Sequence, residues 1–167
     1  MTKIRRYFES NQSIFLTHVT HQRKPLLIEN VNLLHSAIKE VNLDYPITII
    51  AWVIIPDHFH MIIESNSSNV SEYFKRLKLI FSAKYRIKNK LKSGRIWQYR
   101  FWDHIIRNQD DLNSHIDYIH YNPVKHCLID DPFQYNHSSL MSYYKEGIYE
   151  SDWGVNEEKL FDRDFGE

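Results

Sequence analysis

A chain of 167 residues and 20.2 kDa, 43% apolar and 25% charged, has the composition of one globular domain that buries its own core, not of a disordered tail or a repeat array. Four Gly and five Pro leave no Gly-rich loop of the kind that cradles nucleotide phosphates, so no nucleotide cofactor is expected. Lys plus Arg equals Asp plus Glu at 21 each, a balance that, taken as a total, argues against a nucleic-acid partner.

Cys127 is the only cysteine, so no disulfide closes within the chain and no thiolate cluster offers itself to zinc; a reducing, cytoplasmic compartment fits. Near the start the longest apolar stretch is residues 14–16, too short for a signal peptide or a membrane span, so no membrane partner is expected.

In chain order, residues 13–20 alternate Phe15, Thr17 and Val19 against Ile14, Leu16 and His18, which predicts a strand. Leu27, Val31, Leu34 and Ile38 recur at helical spacing within 26–41, and Asp44, Tyr45 and Pro46 end that helix. Residues 47–55 form a nearly continuous apolar run of strand length, and Pro56-Asp57 turns the chain into a second alternating strand, 58–65. Asn69 followed by Glu72 has the pattern of a capping box and opens a helix reaching about Leu91. Its residues Tyr73, Phe74, Leu77, Ile80, Phe81 and Ile87 share one side, with Lys75, Arg76, Lys78, Arg86 and Lys90 on the other. Past Gly94, Trp97, Tyr99 and Phe101 alternate with Gln98 and Arg100 as a further strand. A third helix runs from about Asp110 to Tyr121 and meets Pro123; the last forty residues show no clear period. The order βα, ββ, α, β, α implies an α+β architecture: an antiparallel sheet with helices mainly on one face, in one domain of residues 1–145 followed by an acidic tail, 146–167.

Three constellations carry possible chemistry. His58 and His60, two apart on a strand, point the same way with Cα atoms roughly 6.5 Å apart, so two surface imidazoles or two ligands of one ion are both compatible with the spacing. On the third helix, Tyr118 and Asn122 lie four apart on one flank of the Leu112, Ile116, Ile119 stripe, while Tyr121 lies opposite the core. Tyr118 reads either as a core-edge residue or as a nucleophile, and a phenol acting as nucleophile needs a metal-polarised target or a base nearby. Asn122 before Pro123 also suits a helix-ending turn. The third is charge. Residues 73–102 hold ten basic residues and no acidic one, while 130–167 hold three basic and ten acidic. No Glu-to-Lys pairs dilute that basic stretch, which also interleaves Trp97, Tyr99, Phe101 and Trp102 with Arg95 and Arg100; a polyanion partner is favoured over a merely solvated face.

The stretch AWVIIPDHFHMII resembles the HUH motif (His, hydrophobic, His) of single-tyrosine transposases, and WQYRFWDHIIR followed by HIDYIHYNPVKH resembles the segment that carries their tyrosine. With the IRRY start and the FLTHVT strand, the pattern most resembles the REP-associated tyrosine transposases, over roughly residues 4–144. The resemblance implies a ferredoxin-like fold with the His pair on a central strand. It also implies that His58, His60 and Asn122 bind Mg²⁺ or Mn²⁺ and that Tyr118 attacks single-stranded DNA beside a hairpin, leaving a 5′-phosphotyrosine and a free 3′-OH. Arg5 and Arg6 would then read the hairpin flank, and Lys75, Arg76, Lys78, Arg86, Lys90, Arg95 and Arg100 would hold the backbone, in a monomer or a homodimer. Where members of the family often carry Gly after the NPVKH string, this chain has Cys127. The competing reading is a DNA-hairpin-binding protein that does not cut.

Overall fold

The computed structural model describes residues 12–65 and 69–155. Four strands, β1 (Ser13–Val19), β2 (Ile47–Ile54), β3 (His58–Ser65) and β4 (Trp102–Ile105), form one antiparallel sheet in the order β2-β3-β1-β4. β3 therefore lies inside the sheet, with Val19 of β1 opposite His58 and Thr17 opposite His60. The helices are α1 (Val31–Asp44), α2 (Val70–Lys88), α3 (Gln109–Lys125) and the short α4 (Leu140–Lys145).

Strand alternation sorts side chains to two faces. Ile14, Leu16, Phe59, Met61 and Ile63 meet α1 and α2 through Leu34, Ala37, Val41, Phe74, Leu77 and Phe81. Phe15, Ala51, Val53 and Ile62 meet α3 through Ile116 and Ile119. The expected α+β class holds, with α1 and α2 on one face and α3 on the other. His18, on the α2 face, stacks among Phe59, Phe74 and Phe101 with ring centroids 5.0, 4.5 and 4.6 Å away.

Several expected boundaries move, each for a local reason. The segment before α1 is a 3₁₀ turn, Ile28–Asn30, because the Asn30 amide donates back to the Leu26 carbonyl at 2.7 Å and breaks the helical ladder. Asn69 sits at the N-cap of α2 but its side chain makes no capping bond; Glu72, expected to complete the box, turns instead to Lys75 at 3.0 Å and Arg76 at 3.2 Å. Ile87 is 79% exposed, because α2 overruns the sheet by that point. α3 continues through Pro123 to Lys125 despite the lost backbone bond, a cost of roughly 3 kcal/mol that is offset by the burial of eight consecutive-turn residues from His115 to Pro123.

The largest difference lies at 97–101. Trp97 bridges Thr20 and Trp102 pairs with Thr17, so three steps along β1 are matched by five on the partner chain. Two surplus residues cannot stay in the ladder. The alternating strand expected there is therefore interrupted, and Tyr99 stands 88% exposed.

The irregular C-terminal segment guards the open edge of β2. Ser138 bridges Val53, the Trp52 N–H donates to Ser139 Oγ at 2.9 Å, and the Tyr135 and Tyr143 hydroxyls donate to the carbonyls of Ile54 and Ile50 at 2.8 and 2.9 Å. Tyr149, early in the acidic stretch, is buried and donates to Asp117 on α3 at 2.7 Å. Tyr121, expected to face away from the core, is buried as well, because Trp153 and Gly154 pack against it.

Just after α3, Cys127 has φ of 54°, the left-handed conformation that favours Gly at a helix end. The substitution Cys127→Gly is expected to raise stability by up to about 1 kcal/mol in urea unfolding, the relief of strain being partly cancelled by the freer unfolded chain.

Candidate active site

β3 and α3 build the site between them. His58 and His60, adjacent on the α3 face of β3, are fully buried, their rings edge to face at 4.8 Å. Two buried imidazoles are tolerable only with partners, and each has one at Nδ1. His58 Nδ1 lies 2.8 Å from Asp57 Oδ1, and His60 Nδ1 lies 2.8 Å from Thr17 Oγ1, which the β1–β3 register brings opposite. Asp57 also accepts from Arg23 at 3.1 Å; although burial raises its carboxyl, hydrogen bonds and charge from His58 and Arg23 hold it below the ordinary range.

α3 supplies the rest. Tyr118 and Asn122 are both fully buried. The Asn122 amide nitrogen is 3.3 Å from His60 Nε2, and the Tyr118 ring meets the His60 ring at 5.4 Å and 69°. Phe15 stacks on His60 at 5.4 Å and 21° while its edge meets Tyr118 at 6.0 Å, a wedge that fixes both rings. Lys125, two turns beyond Tyr118, donates to the phenol oxygen at 3.0 Å and lies 4.8 Å from its ring centroid. His126 brings a third imidazole, 5.0 Å from His58 between centroids. Neither Lys125 nor His126 was singled out by the sequence reading, although helical spacing puts 118, 122, 125 and 126 on one side of α3.

The donor set fits a divalent cation. Partners at Nδ1 fix ring orientation and turn Nε2 of both imidazoles toward α3, the arrangement that second-shell groups impose on metal-binding histidines. A half-turn of the Asn122 amide places its oxygen where the nitrogen is assigned, adding a hard donor that suits Mg²⁺ or Mn²⁺.

The basic residues are distributed differently. Arg5 and Arg6 lie outside the described residues. Lys75, Arg76, Lys78, Arg86 and Lys90 are on or just past α2, across the sheet from the His pair, with Arg95 and Arg100 exposed on the segment that follows. The block is also less free of acid than its sequence suggests. Lys75 and Arg76 share Glu72, and Lys84 pairs with Glu40 of α1 at 2.8 Å. Lys78 lies over the Phe101 ring at 5.5 Å, and Arg86 donates to the Gly94 carbonyl at 2.7 Å.

A family model described as IS200-like transposase matches residues 9–122. The chain belongs to that family. Within it the similarity is to REP-associated tyrosine transposases: a protein of Haemophilus influenzae with that name is 35% identical over 93% of this chain and 95% of its own length. One from Escherichia coli is 34% identical over 92% and 91%. A solved structure of a REP-associated tyrosine transposase bound to a REP hairpin superposes with a TM-score of 0.82 at 32% identity, covering 100% of this chain and 98% of that one. Among the described residues no helix is long and apolar enough to cross a membrane.

This transposase chain holds, among the described residues, a further histidine pair and a further buried histidine that lie outside the expected site. Asp111, in the first turn of α3, lies 2.9 Å from His104 Nε2 on β4, 3.1 Å from His115 Nδ1 and 2.9 Å from the Arg107 N–H. The two imidazoles stack at 4.7 Å and 13° and both meet that carboxylate, which clamps the start of α3 to β4. His115 in turn touches Phe15 at 4.8 Å, which connects the clamp to the wedge on His60. On the other side of α3, His120 is fully buried between Ser139 Oγ at 2.8 Å and the Tyr149 hydroxyl at 3.0 Å.

Burial pushes the His120 imidazole down to about 3. The unfolded chain protonates this residue near 6.5 while the folded chain resists, so stability from this source is intact above 6.5 and falls with pH below it, by about 1.4 kcal/mol per unit. The stability gap between wild type and His120→Gln, read from urea unfolding, is expected to narrow by about 2 kcal/mol between pH about 7.5 and about 5.

Proposed function

We infer that the chain is a metal-dependent endonuclease and strand transferase that cuts single-stranded DNA beside a hairpin, with Tyr118 as nucleophile. The observation that carries this reading is the meeting of Tyr118, its hydroxyl held by Lys125 at 3.0 Å, with the His58–His60 pair and Asn122 in one buried site. Binding alone requires none of these contacts. A hairpin partner is supported by the solved relative, which is bound to one.

In this reading His58, His60 and Asn122 hold Mg²⁺ or Mn²⁺, which when bound neutralises and polarises the scissile phosphate. Phe15 and His60 hold the Tyr118 ring so that its oxygen faces that phosphate. The Lys125 ammonium stabilises negative charge on the phenol oxygen as its proton leaves to solvent. A bond forms between the Tyr118 oxygen and phosphorus as the bond to the 3′ oxygen breaks and that oxygen takes a proton from solvent, leaving a 5′-phosphotyrosine and a 3′-OH. The phosphotyrosine conserves the energy of the broken ester, so the 3′-OH of the same or another strand can reverse the step without ATP. We take residues 1–145 as the domain that does this and 146–167 as an acidic tail whose first part, through Tyr149 and Trp153, packs against α3.

Incubating the protein with labelled hairpin oligonucleotides and Mn²⁺ is expected to give a denaturant-resistant protein–DNA adduct, absent with chelator and absent in Tyr118→Phe. An adduct that persists in Tyr118→Phe moves the nucleophile elsewhere; none from wild type across many hairpins that bind favours the non-cutting alternative. The variant Lys125→Met is expected to form the adduct roughly ten- to a hundredfold more slowly, the loss of one charge-assisted hydrogen bond, with the deficit shrinking as pH rises. Single-turnover rates across pH measure it.

A further inference from the structure

On the α2 side of the sheet, the bulged segment 95–101 leans over the outer face of α2 and encloses a cleft of about 360 Å³. Its wall carries four cations, Lys75, Lys78, Arg86 and Arg95, and among the described residues no carboxylate lines it. Tyr99, 88% exposed, forms part of the wall, and an aromatic of that size left in water by a bulge has no packing role. Two donors on the lining are buried and make no hydrogen bond within the described structure: Arg86 Nε and Trp97 Nε1, the latter on a side chain only 6% exposed. A core residue would normally satisfy such groups. What the cleft offers a visitor is a flat π-face, concentrated positive charge and two N–H groups awaiting acceptors.

We propose that this cleft binds one unpaired nucleotide of single-stranded DNA, its base stacked on Tyr99 and its phosphates met by Lys75, Lys78 and Arg95. The π-face suits any base, the cations suit the backbone, and Arg86 Nε and Trp97 Nε1 suit base carbonyls or phosphate oxygens. The cleft reaches the catalytic site by a short path. The Gln98 N–H donates to the Val19 carbonyl, and Val19 pairs with His58, so the cleft's rim is two strand spacings, roughly 10 Å, from the His pair. The nucleotide seated here therefore belongs to the single-stranded flank a few positions from the scissile phosphate. The proposal rests on the reading of the chain as a single-strand DNA transferase and names where that substrate's flank is held.

The test uses the full chain, with chelator present so that nothing is cut, and a hairpin oligonucleotide bearing 2-aminopurine at one flank position at a time. Wild type is expected to quench one flank position severalfold on binding, Tyr99→Phe to preserve the quench and Tyr99→Ala to abolish it. Affinity for the flanked hairpin should fall about tenfold or more in Tyr99→Ala, as loss of one base–aromatic stack predicts. Affinity for a hairpin without flank should not change. Replacing Lys78 and Arg95 by Ala should flatten the dependence of binding on salt. Quenching that survives Tyr99→Ala, or quenching at no position while the flanked hairpin binds and is cut when Mn²⁺ is added, overturns the cleft and leaves the transferase reading standing. Adduct formation failing while the Tyr99-dependent quench persists overturns the transferase reading and leaves the cleft.

Discussion

The structure depends on the two-residue period of β3 when that strand is buried on both faces. Phe59, Met61 and Ile63 go to the α1–α2 side and His58, His60 and Ile62 to the α3 side, and no intermediate arrangement exists, because a slip of one residue exchanges the two sets. Burying three apolar residues on one face stabilises the fold by several kcal/mol, at about 1.5–3 kcal/mol each. That gain holds the two histidines in a place where imidazoles would otherwise be costly. Register then supplies their partners: Thr17 lies opposite His60 because β1 pairs antiparallel with β3, and Asp57 precedes His58 in the tight turn from β2. The core thus orders the candidate site by itself, which is the preorganisation that the proposed phenol nucleophile requires.

α3 completes what β3 begins, and its oddities follow from that task. Tyr118, Asn122, Lys125 and His126 come to one side only if the helix stays regular past Pro123, so the missing hydrogen bond at Pro123 is carried by the packing of Ile116, Ile119 and Tyr121. α3 is fastened at its start by Asp111 to His104 and along its middle by Asp117 and His120 to the C-terminal segment. Phe15 touches His60, His115 and Tyr118 together, so a change at the clamp reaches the candidate site through one ring.

Elements with an unbroken period were legible in the sequence: β1, β2, β3 and the body of α2 lie within a residue or so of where their spacing put them. That His58 and His60 share a strand face and Tyr118 and Asn122 a helix face was legible for the same reason, and the fold brings the two pairs together. What period could not show was anything set by a partner distant in sequence. The interruption at 97–101 depends on how β1 meets that segment, the pairing of Lys75, Arg76 and Lys84 on how Glu72 and Glu40 turn, and the burial of Tyr121 on residues 153–154. Lys125 was invisible as a partner of Tyr118 because a lysine seven positions along a helix reads as surface until Pro123 is known to lie within that helix.

In the proposed reading the sheet also separates the two halves of the task. The basic face of α2 and the cleft beside it lie on one side, the His pair and Tyr118 on the other, so a DNA strand that uses both has to pass around an edge of the sheet. The near end is where Val19, His58 and Gln98 meet, and its geometry suits the passage. Asp57, a carboxylate at that end, is already paired with Arg23 and His58, so it does not repel a phosphate backbone. Two duplex strands would be too broad and stiff to turn so tightly, whereas a single strand bends freely. A charge total of zero therefore conceals a division of labour. Positive charge gathers beside a cleft on one face and the candidate site is buried under the other; in the proposed reading, two strand spacings at the end of the sheet set how far a nucleotide held in the cleft lies from the bond to be cut.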